Sequence, residues 1–417
     1  MPNLLLFLLG LFLLAAVLRI DTYFSLLYLL AAAYILGRMW AQQTMRQLRT
    51  QRLLVNRAFP GEQIPVELRV RNEGWLPAPW VEMHDSLHVD LISPPFYRRV
   101  LTLMPHQEQR FHYSLTCSKR GYYQIGPMTW RTGDLLGINP QLTGQQKPEY
   151  VIVYPRVLPL DRLGLPTRSP LASLPAPAPL FEDPTRIVGM REYRIGDSPR
   201  RIHWSASASA GQLLVKRYQP AIARETLICL DLDQASYAIQ RMYQASEMAI
   251  VAAASIASHI ILHEALAVGL ATQAIDPLQE RLVTMSLPPR RERAHLMGIL
   301  EVLARAQTYR QEPGEAAASN GPNGQGAATG GDGVALPLPD FLRRESLGLS
   351  WGATIIVVTG GESQALYDSL LYLRQQGFAV ALVLVMPSAA PGDRATHATA
   401  LRLPIYRVWR EEELEHL

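Results

Sequence analysis

Two acidic residues and a serine that could bind a cation follow a short apolar run in this sequence. Asp231, Asp233 and Ser236 come directly after residues 226–230. Carboxylate and hydroxyl oxygens are the hard ligands that Mg²⁺ and Ca²⁺ prefer. Two carboxylates alone form an incomplete cage, and the same residue types also cap the starts of helices. We therefore expect a capping role and no cofactor, with a Mg²⁺ site as the alternative.

A second group of polar residues lies in the 189–204 segment, which contains four arginines. Arginine and tryptophan are common anchors of protein interfaces, so the segment predicts a partner-binding surface. The alternative is structural: Asp197 or Ser198 caps a short helix, and Trp204 anchors the segment against the following domain. Both interpretations stay open. The candidate partner-binding residues are Arg191, Tyr193, Asp197, Arg200, Arg201 and Trp204.

The sequence gives little support for catalysis or for nucleic-acid binding. Ser205, Ser207 and Ser209 lie among small residues without the nucleophile elbow of a hydrolase. The phosphate-binding Gly-x-x-x-x-Gly-Lys-Ser/Thr motif does not occur in the sequence. The formal net charge of +4 on 417 residues carries no nucleic-acid signature. We expect a protein that is not an enzyme and that binds no nucleic acid.

Two apolar runs at the N-terminus predict a transmembrane helical hairpin over residues 1–40. The runs cover 1–18 and 22–37, and Arg19 and Asp21 lie between them. Each is at the short end of the roughly 17–25 residues that span a bilayer. Five arginines and no acidic residue follow between Arg38 and Arg57, which indicates the cytoplasmic side. A cleaved signal peptide and a buried helical pair are the alternatives.

The two apolar runs and the arginines after them predict a multi-pass protein of the inner (plasma) membrane whose soluble domains face the cytoplasm.

Residues 50–155 alternate apolar and polar side chains, with turn signals at regular spacing. That pattern is typical of an antiparallel, immunoglobulin-like β-sandwich. Residues 156–188 are rich in proline and predict an extended linker.

Residues 189–417 alternate continuous apolar runs with helical patterns. This alternation predicts a doubly wound α/β sheet, with ligands expected at the carboxyl ends of its strands. A tract over 307–337 is rich in Gly, Ala, Asn and Pro and predicts a flexible insertion. Cys117 and Cys229 fall in predicted strands of different domains, which argues against a disulfide framework and suits a reducing compartment.

Several short motifs occur along the chain, at Arg120–Tyr122, Ile125–Pro127, Asp134–Gly137, Arg191–Tyr193, Gly196, Asp197, Arg200, Ile202, Trp204, Ala208 and Leu213–Val215. Together they resemble the bacterial domain-of-unknown-function 58 (DUF58) family. The resemblance covers nearly the whole chain, and it implies a membrane hairpin, a β-sandwich and a von Willebrand factor type A-like α/β domain.

The resemblance also implies a function. Similar proteins are linked to MoxR-type AAA+ ATPases, so a membrane-anchored scaffold or adaptor that binds such an ATPase is expected. The alternative is a metal-dependent ligand-binding receptor. Type A domains bind metal through Asp-x-Ser-x-Ser, whereas this chain has Asp231, Asp233 and Ala235. Where a further Asp often follows the later strand, Thr359 stands here. The resemblance therefore predicts a degenerate adhesion-site loop at Asp231, Asp233 and Ser236.

Overall fold

A single long helix, α1, leads into the first strand of the fold. The computed structural model describes residues 10, 12, 13, 21–88, 90–92, 96–134, 141–160, 182–193, 202–220, 225–310, 335–387 and 403–414. Helix α1 spans Asp21–Gln47 and is long and apolar enough to cross a membrane. Only 6% of its apolar window is buried. The first half of the expected hairpin, residues 1–18, lies outside the described residues apart from Gly10, Phe12 and Leu13.

The chain divides into two units, Met1–Arg156 and Val157–Leu417, and the first is built from strands. Two four-stranded antiparallel sheets have the orders β1-β3-β7-β5 and β10-β9-β4-β6, and a small third sheet has the order β2-β11-β8. The strands are β1 Leu48–Leu54, β2 Arg57–Ala58, β3 Gln63–Asn72, β4 Ala78–Ser86, β5 Leu91–Ile92, β6 Phe96–Leu103, β7 Glu108–Cys117, β8 Gly121–Ile125, β9 Met128–Thr132, β10 Leu142–Gln146 and β11 Glu149–Val153.

Alternating side chains bring the two larger sheets together over a shared core. Val66 and Leu68 of β3 pack in one buried cluster with Met128 of β9, while Val70 packs in another with Met83 of β4. In β3 the apolar residues are buried and their polar neighbours are more exposed, the period-two pattern of a sheet with one core face. The antiparallel β-sandwich arrangement therefore follows from the alternation.

The sandwich also buries a complete ion pair. The side chains of Arg52 in β1 and Asp85 in β4 are 0% and 1% exposed. Two guanidinium nitrogens of Arg52 donate to the two carboxylate oxygens of Asp85, and a third donates to the Ile125 carbonyl at 3.3 Å. The Tyr113 hydroxyl donates to the same carboxylate at 2.8 Å. Burial, followed by the negative charge of Asp85, raises the pKa of Tyr113.

The second unit contains a six-stranded sheet and a separate two-stranded ribbon. The sheet order is β16-β15-β14-β17-β18-β19, and neighbours are parallel except for the antiparallel edge strand β16. The ribbon pairs β12 with β13, with the short helix α2 (Trp204–Ala210) between them. The strands are β12 Glu182–Glu192, β13 Leu214–Pro220, β14 Glu225–Leu230, β15 Ala267–Asp276, β16 Arg281–Arg290, β17 Thr354–Thr359, β18 Ala379–Val385 and β19 Ile405–Val408.

Helices cover both faces of the sheet. One face packs in a buried cluster with α5 and α6, through residues such as Cys229 and Val357. Helix α3 contacts the same central strands, and the alternate strand residues, such as Ile228 and Ile356, are also fully buried. Because strand side chains alternate between faces, α3 covers the second face. The helices are α2 Trp204–Ala210, α3 Met242–Leu262, α4 Arg293–Arg305, α5 Leu338–Ser346, α6 Gln364–Gln375 and α7 Glu411–Leu414.

The α/β prediction is thus confirmed, and the continuous apolar runs are explained by burial on both faces. Helix α3 with its preceding turn also meets the length and hydropathy criteria for a membrane span. However, 83% of its apolar window is buried, so α3 is the central core helix of the second unit.

Several boundaries differ from the sequence predictions. The antiparallel strand β16 and helix α5 were not anticipated. The flexible insertion was placed too widely at 307–337, because both ends belong to the fold. Gln307 pairs with Ile275 of β15, and the Leu336 backbone N–H donates to the Gln273 side chain at 2.8 Å. The central part, 311–334, and most of the proline-rich linker, 161–181, lie outside the described residues.

Candidate functional site

Asp231 lies where an open α/β sheet is expected to bind ligands. It directly follows β14, whose neighbours are β15 on one side and β17 on the other. The chain passes from β14 to β15 first and reaches β17 later, so the winding direction reverses between β14 and β17. Crevices at the carboxyl ends of strands beside such a reversal are the usual ligand sites of this architecture.

The carboxylate of Asp231 is buried and fully hydrogen-bonded within the protein. The residue is 4% exposed. Its Oδ1 accepts from the Asp233 backbone N–H at 3.0 Å, and its Oδ2 accepts from the Thr359 hydroxyl at 2.8 Å. Burial raises the pKa of Asp231, and the neighbouring Ser236 hydroxyl, Asp233 N–H and Thr359 hydroxyl oppose that rise.

The loop formed by residues 231–237, hereafter the Asp231 loop, is packed closely against the end of β17. The Tyr237 hydroxyl donates to the Asp231 carbonyl at 2.5 Å. A Cβ at Gly360 would lie 2.4 Å from the Tyr237 ring, and one at Gly361 would lie 2.9 Å from the Ser236 carbonyl oxygen. Only glycine fits at these two positions. The Asp231 loop and the Gly360–Gly361 turn therefore pack together without room for a side chain between them.

Asp233 caps a short helix, as the sequence predicts. Its Oδ1 accepts from the Ala235 backbone N–H at 3.0 Å, at the start of the 3₁₀ helix Gln234–Ser236. The long helix α3 begins only at Met242. In the part of the chain that the structure describes, no group of three or more His, Cys, Asp or Glu side chains could hold a metal ion.

The described parts of the 189–204 segment lie at the end of β12 and at the start of α2. Arg191 and Tyr193 lie at the end of β12, where the Tyr193 backbone N–H donates to the Leu213 carbonyl at 2.9 Å. Trp204 is the first residue of α2, and Nδ1 of His203 caps this helix by accepting from the Ala206 N–H at 3.2 Å. The remaining candidates, Asp197, Arg200 and Arg201, and the proposed cap Ser198 lie outside the described residues.

A buried serine holds α2 against β13. The Ser207 hydroxyl donates to the His203 carbonyl at 2.9 Å and accepts from the Leu214 backbone N–H at 2.9 Å. Ile202 forms a bridge with Val215, and both are buried. These contacts fix α2 on the ribbon without using the Trp204 side chain.

Trp204 does not anchor the segment in the α/β core. Its side chain is 66% exposed, so that part of the structural interpretation is wrong. Two other large apolar residues of the ribbon are also exposed, Met190 at 49% and Leu213 at 46%. Arg191, next to Met190, is exposed as well. The ribbon and α2 therefore present aromatic, aliphatic and cationic side chains to the outside.

Thr359 and Tyr237 were not identified from the sequence as parts of the Asp231 environment. Thr359 was noted only as the residue that replaces an expected acid. Its position at the end of an apolar run was a usable signal, because the ends of neighbouring parallel strands lie side by side. No comparable signal marks Tyr237.

A separate concave surface lies on the first unit. A cavity of about 300 Å³ is lined by Glu82, His84, Arg98, Thr129 and Arg131. The strands place these residues on the outward face of the β10-β9-β4-β6 sheet, opposite the buried Asp85. Glu82 already pairs with Arg98 at 2.5 Å, so charge in the cavity is partly neutralised.

Comparison with known proteins supports the resemblance over part of the chain. Residues 189–342 match the family model described as "Protein of unknown function DUF58", which supports assignment to that family. A search of curated proteins found no match.

Solved structures that resemble the chain do so weakly. They include the CARDB domain of a Pyrococcus furiosus protein in complex with di-metal ions, with 16% identity, a TM-score of 0.19, and coverage of 25% of this chain and 91% of that one. A complex between Zinc 2-glycoprotein and prolactin inducible protein from human seminal plasma matches with 15% identity and a TM-score of 0.20, and the match covers 25% of this chain and 92% of that one. A Listeria innocua β-glucosidase matches with 12% identity and a TM-score of 0.18, and the match covers 25% of this chain and 16% of that one. Scores this low establish neither a shared fold nor a shared function.

Proposed function

We propose that this protein is a membrane-anchored scaffold or adaptor whose soluble units face the cytoplasm and whose ribbon binds a MoxR-type AAA+ ATPase. On this proposal the protein is not an enzyme. Its first unit is an immunoglobulin-like sandwich, its second a von Willebrand factor type A-like domain, and the N-terminal apolar runs form a hairpin in the inner membrane.

The exposure of Trp204 is the observation that most supports a docking role. A tryptophan side chain left largely in water forgoes much of the stabilisation that burial would provide. Trp204 is exposed on α2, which Ser207 holds to β13 without the Trp204 side chain, and Met190 and Leu213 at the ribbon are exposed as well. Trp, Met and Arg are enriched at protein interfaces, and Trp and Arg contribute most to the binding energy there.

The anchoring part of the proposal is supported by α1. Its residues Leu29, Leu36 and Met39 are 66%, 64% and 61% exposed, which is unfavourable in water and favourable in lipid. The five arginines of residues 38–57 follow this apolar stretch and favour a cytoplasmic location for the rest of the chain.

Affinity capture from native membranes tests the adaptor function. The full-length protein is cross-linked in membranes, captured, and its partners identified by mass spectrometry. We expect an AAA+ ATPase with the unmodified chain and a loss of at least about tenfold with Trp204→Ala, because an interface hot spot is worth about 2 kcal/mol or more.

Leu347→Ala is the matched control. Leu347 is 87% exposed in the same unit but lies outside the ribbon, so its loss should leave capture unchanged. Failure of the unmodified protein to capture any AAA+ ATPase, or equal capture by Trp204→Ala, would contradict the proposal.

A second candidate function is divalent-metal-dependent ligand binding at the Asp231 loop. Its support is the buried carboxylate at the winding reversal between β14 and β17. The existing hydrogen bonds from Thr359 and Asp233 count against it, because a cation would have to displace at least one of them.

Titration calorimetry with Mg²⁺, Mn²⁺ and Ca²⁺ separates the two candidates. The receptor function requires binding heat that disappears in Asp231→Asn. If no cation gives heat with the unmodified protein, the metal-dependent function is excluded and the adaptor proposal is unaffected.

A further inference from the structure

Helix α1 changes its surroundings abruptly near Trp40. Before this residue many large apolar side chains are exposed and none is buried in residues 22–39, whereas Ala41 and Thr44 in the following turns are each 2% exposed. The apolar stretch 22–39 is about 27 Å long at about 1.5 Å per residue, close to the roughly 30 Å hydrocarbon thickness of a bilayer. If α1 is embedded in lipid, the membrane surface therefore falls near Trp40.

The loop between β3 and β4 runs alongside the last turns of α1 toward this level. The Glu73 backbone N–H donates to the Gln47 carbonyl at 3.0 Å, which places the start of the loop beside the end of the helix. Four residues later, the Pro77 carbonyl accepts from the Trp40 indole N–H at 2.9 Å. From Gln47 back to Trp40 the helix rises about 10 Å, so the loop approaches the membrane surface by that distance.

Two large apolar side chains are exposed at this end of the first unit. Trp75, in the loop between β3 and β4, is 69% exposed, and Met104, in the turn between β6 and β7, is 59% exposed. Both turns are tied to Asn72, which is 0% exposed. Its side-chain amide donates to the Leu76 carbonyl at 2.8 Å and to the Met104 carbonyl at 3.3 Å. Trp75 and Met104 are thus held in one constrained tip, beside the point where α1 enters.

We propose that Trp75 and Met104 insert into the headgroup region of the membrane, as a second lipid contact that fixes the orientation of the first unit. Tryptophan is enriched at this depth because its ring is apolar and its N–H is polar. The loop that carries Trp75 contacts α1 at Trp40, where the exposed apolar part of the helix ends, which argues for lipid as its occupant. This inference rests on the membrane anchoring proposed above.

Depth-dependent quenching tests the contact in the full-length protein. A polarity-sensitive fluorophore is attached to Trp75→Cys, Met104→Cys, Leu36→Cys or Lys119→Cys, and each protein is reconstituted in phosphatidylcholine–phosphatidylglycerol vesicles. The native Cys117 and Cys229 are buried and should not be labelled. Fluorescence is then compared between ordinary lipids and lipids with brominated acyl chains.

Lys119 serves as the control because it lies at the opposite end of the sandwich. The Gly61 N–H donates to the Cys117 carbonyl near the start of β3, whereas Asn72 ends that strand. Ten residues of β-strand separate the two ends by roughly 30 Å. We expect the fluorophores at positions 36, 75 and 104 to be quenched by brominated lipid and to emit at shorter wavelength. The fluorophore at position 119 should show neither change.

A further pair of variants tests whether Trp75 holds the tip in the membrane. In the Met104→Cys background, Trp75→Ser should reduce quenching at position 104, while Val100→Ser, which removes another exposed apolar side chain of the same unit, should not.

The outcomes separate this inference from the proposed anchoring. Quenching at position 36 without quenching at 75 and 104 overturns the lipid contact and leaves the anchor intact, and a protein partner then becomes the occupant of the tip. Absence of quenching at 36 overturns both. Equal quenching at 119 overturns the orientation.

Discussion

Each unit of this protein buries an aspartate, and the two are stabilised in different ways. Asp85 in the sandwich receives a forked pair of charged hydrogen bonds from the Arg52 guanidinium. Asp231 in the α/β unit receives hydrogen bonds only from neutral hydroxyl and N–H groups, including the Thr359 hydroxyl. The charge of Asp85 is thus neutralised by Arg52, whereas no cationic side chain among the described residues pairs with Asp231.

The difference separates a structural carboxylate from a candidate functional one. In a paired buried charge the attraction between the partners offsets the cost of desolvation, and removal of one partner leaves the other charge buried and uncompensated. A buried carboxylate without a cationic partner carries a standing penalty, seen here as the raised pKa of Asp231. Such groups concentrate at functional sites, which is why the second candidate function centres on Asp231.

The two buried cysteines allow the units to be followed separately. Cys117 packs in the core of the sandwich and Cys229 in the core of the α/β unit. Burial raises the pKa of Cys117 to about 11 and also raises that of Cys229. Both thiols should resist alkylation until their own unit unfolds. Mass spectrometry after pulsed alkylation in urea therefore measures the unfolding of each unit separately.

Removing the cation of the paired site should have the largest effect. Arg52→Met leaves Asp85 buried without its partner and should destabilise the first unit by about 3–5 kcal/mol. Cys117 should then react at lower urea concentration, with Cys229 unchanged. The double variant Arg52→Met with Asp85→Leu should recover most of the loss, and a single variant as stable as the double would show that the charge pair is unimportant.

Removing the neutral donor at the second site should have a smaller effect. Thr359→Val leaves Oδ2 of Asp231 without its hydroxyl donor and should cost about 1–3 kcal/mol in the second unit. Here Cys229, and not Cys117, should become reactive earlier. Thr359→Ser keeps the hydroxyl and is the control. Equal loss in both variants would mean that packing of the methyl group, and not the hydrogen bond, stabilises this site.

The smallest effect is a change in pH dependence. The folded-state pKa of Asp231 lies above its unfolded value, so its contribution is greatest below the unfolded pKa and is lost as pH rises through the folded pKa. Asp231→Asn cannot ionise. The free energy of unfolding of the variant, relative to the unmodified chain, should therefore rise from about pH 4 to about pH 7.

Asp340→Asn, at a carboxylate that is 58% exposed in the same unit, controls for the change from acid to amide. If the free energy of unfolding of Asp231→Asn does not rise with pH relative to the unmodified chain, the ionised Asp231 carboxylate does not destabilise the fold. The contrast with Asp85 is then wrong.

Local periodicity was enough to predict most of both units. The alternation in β3 identified a half-buried strand, and the continuous run of β14 identified a strand buried on both faces, with Asp231 at its carboxyl end. These features depend on neighbours in sequence, and periodicity reports them directly.

Contacts between distant residues could not be predicted in the same way. Arg52 and Asp85 are 33 residues apart, and Asp231 and Thr359 are 128 residues apart. Nothing local in either pair specifies the partner. The exposure of Trp204 was also hidden, because a tryptophan next to an arginine-rich stretch suits a buried anchor and a docking residue equally well. Strand β16 escaped notice since Pro288 and Pro289 interrupt its pattern, which an edge position tolerates.

Helix α1 ends at Gln47 and strand β1 begins at Leu48, so no hinge residue separates them. The direction of the helix is therefore passed directly to the first strand of the sandwich. On the proposed membrane anchoring, a thinner bilayer that changes the tilt of α1 would also turn the first sheet, so bilayer thickness would help to set the direction in which the sandwich points.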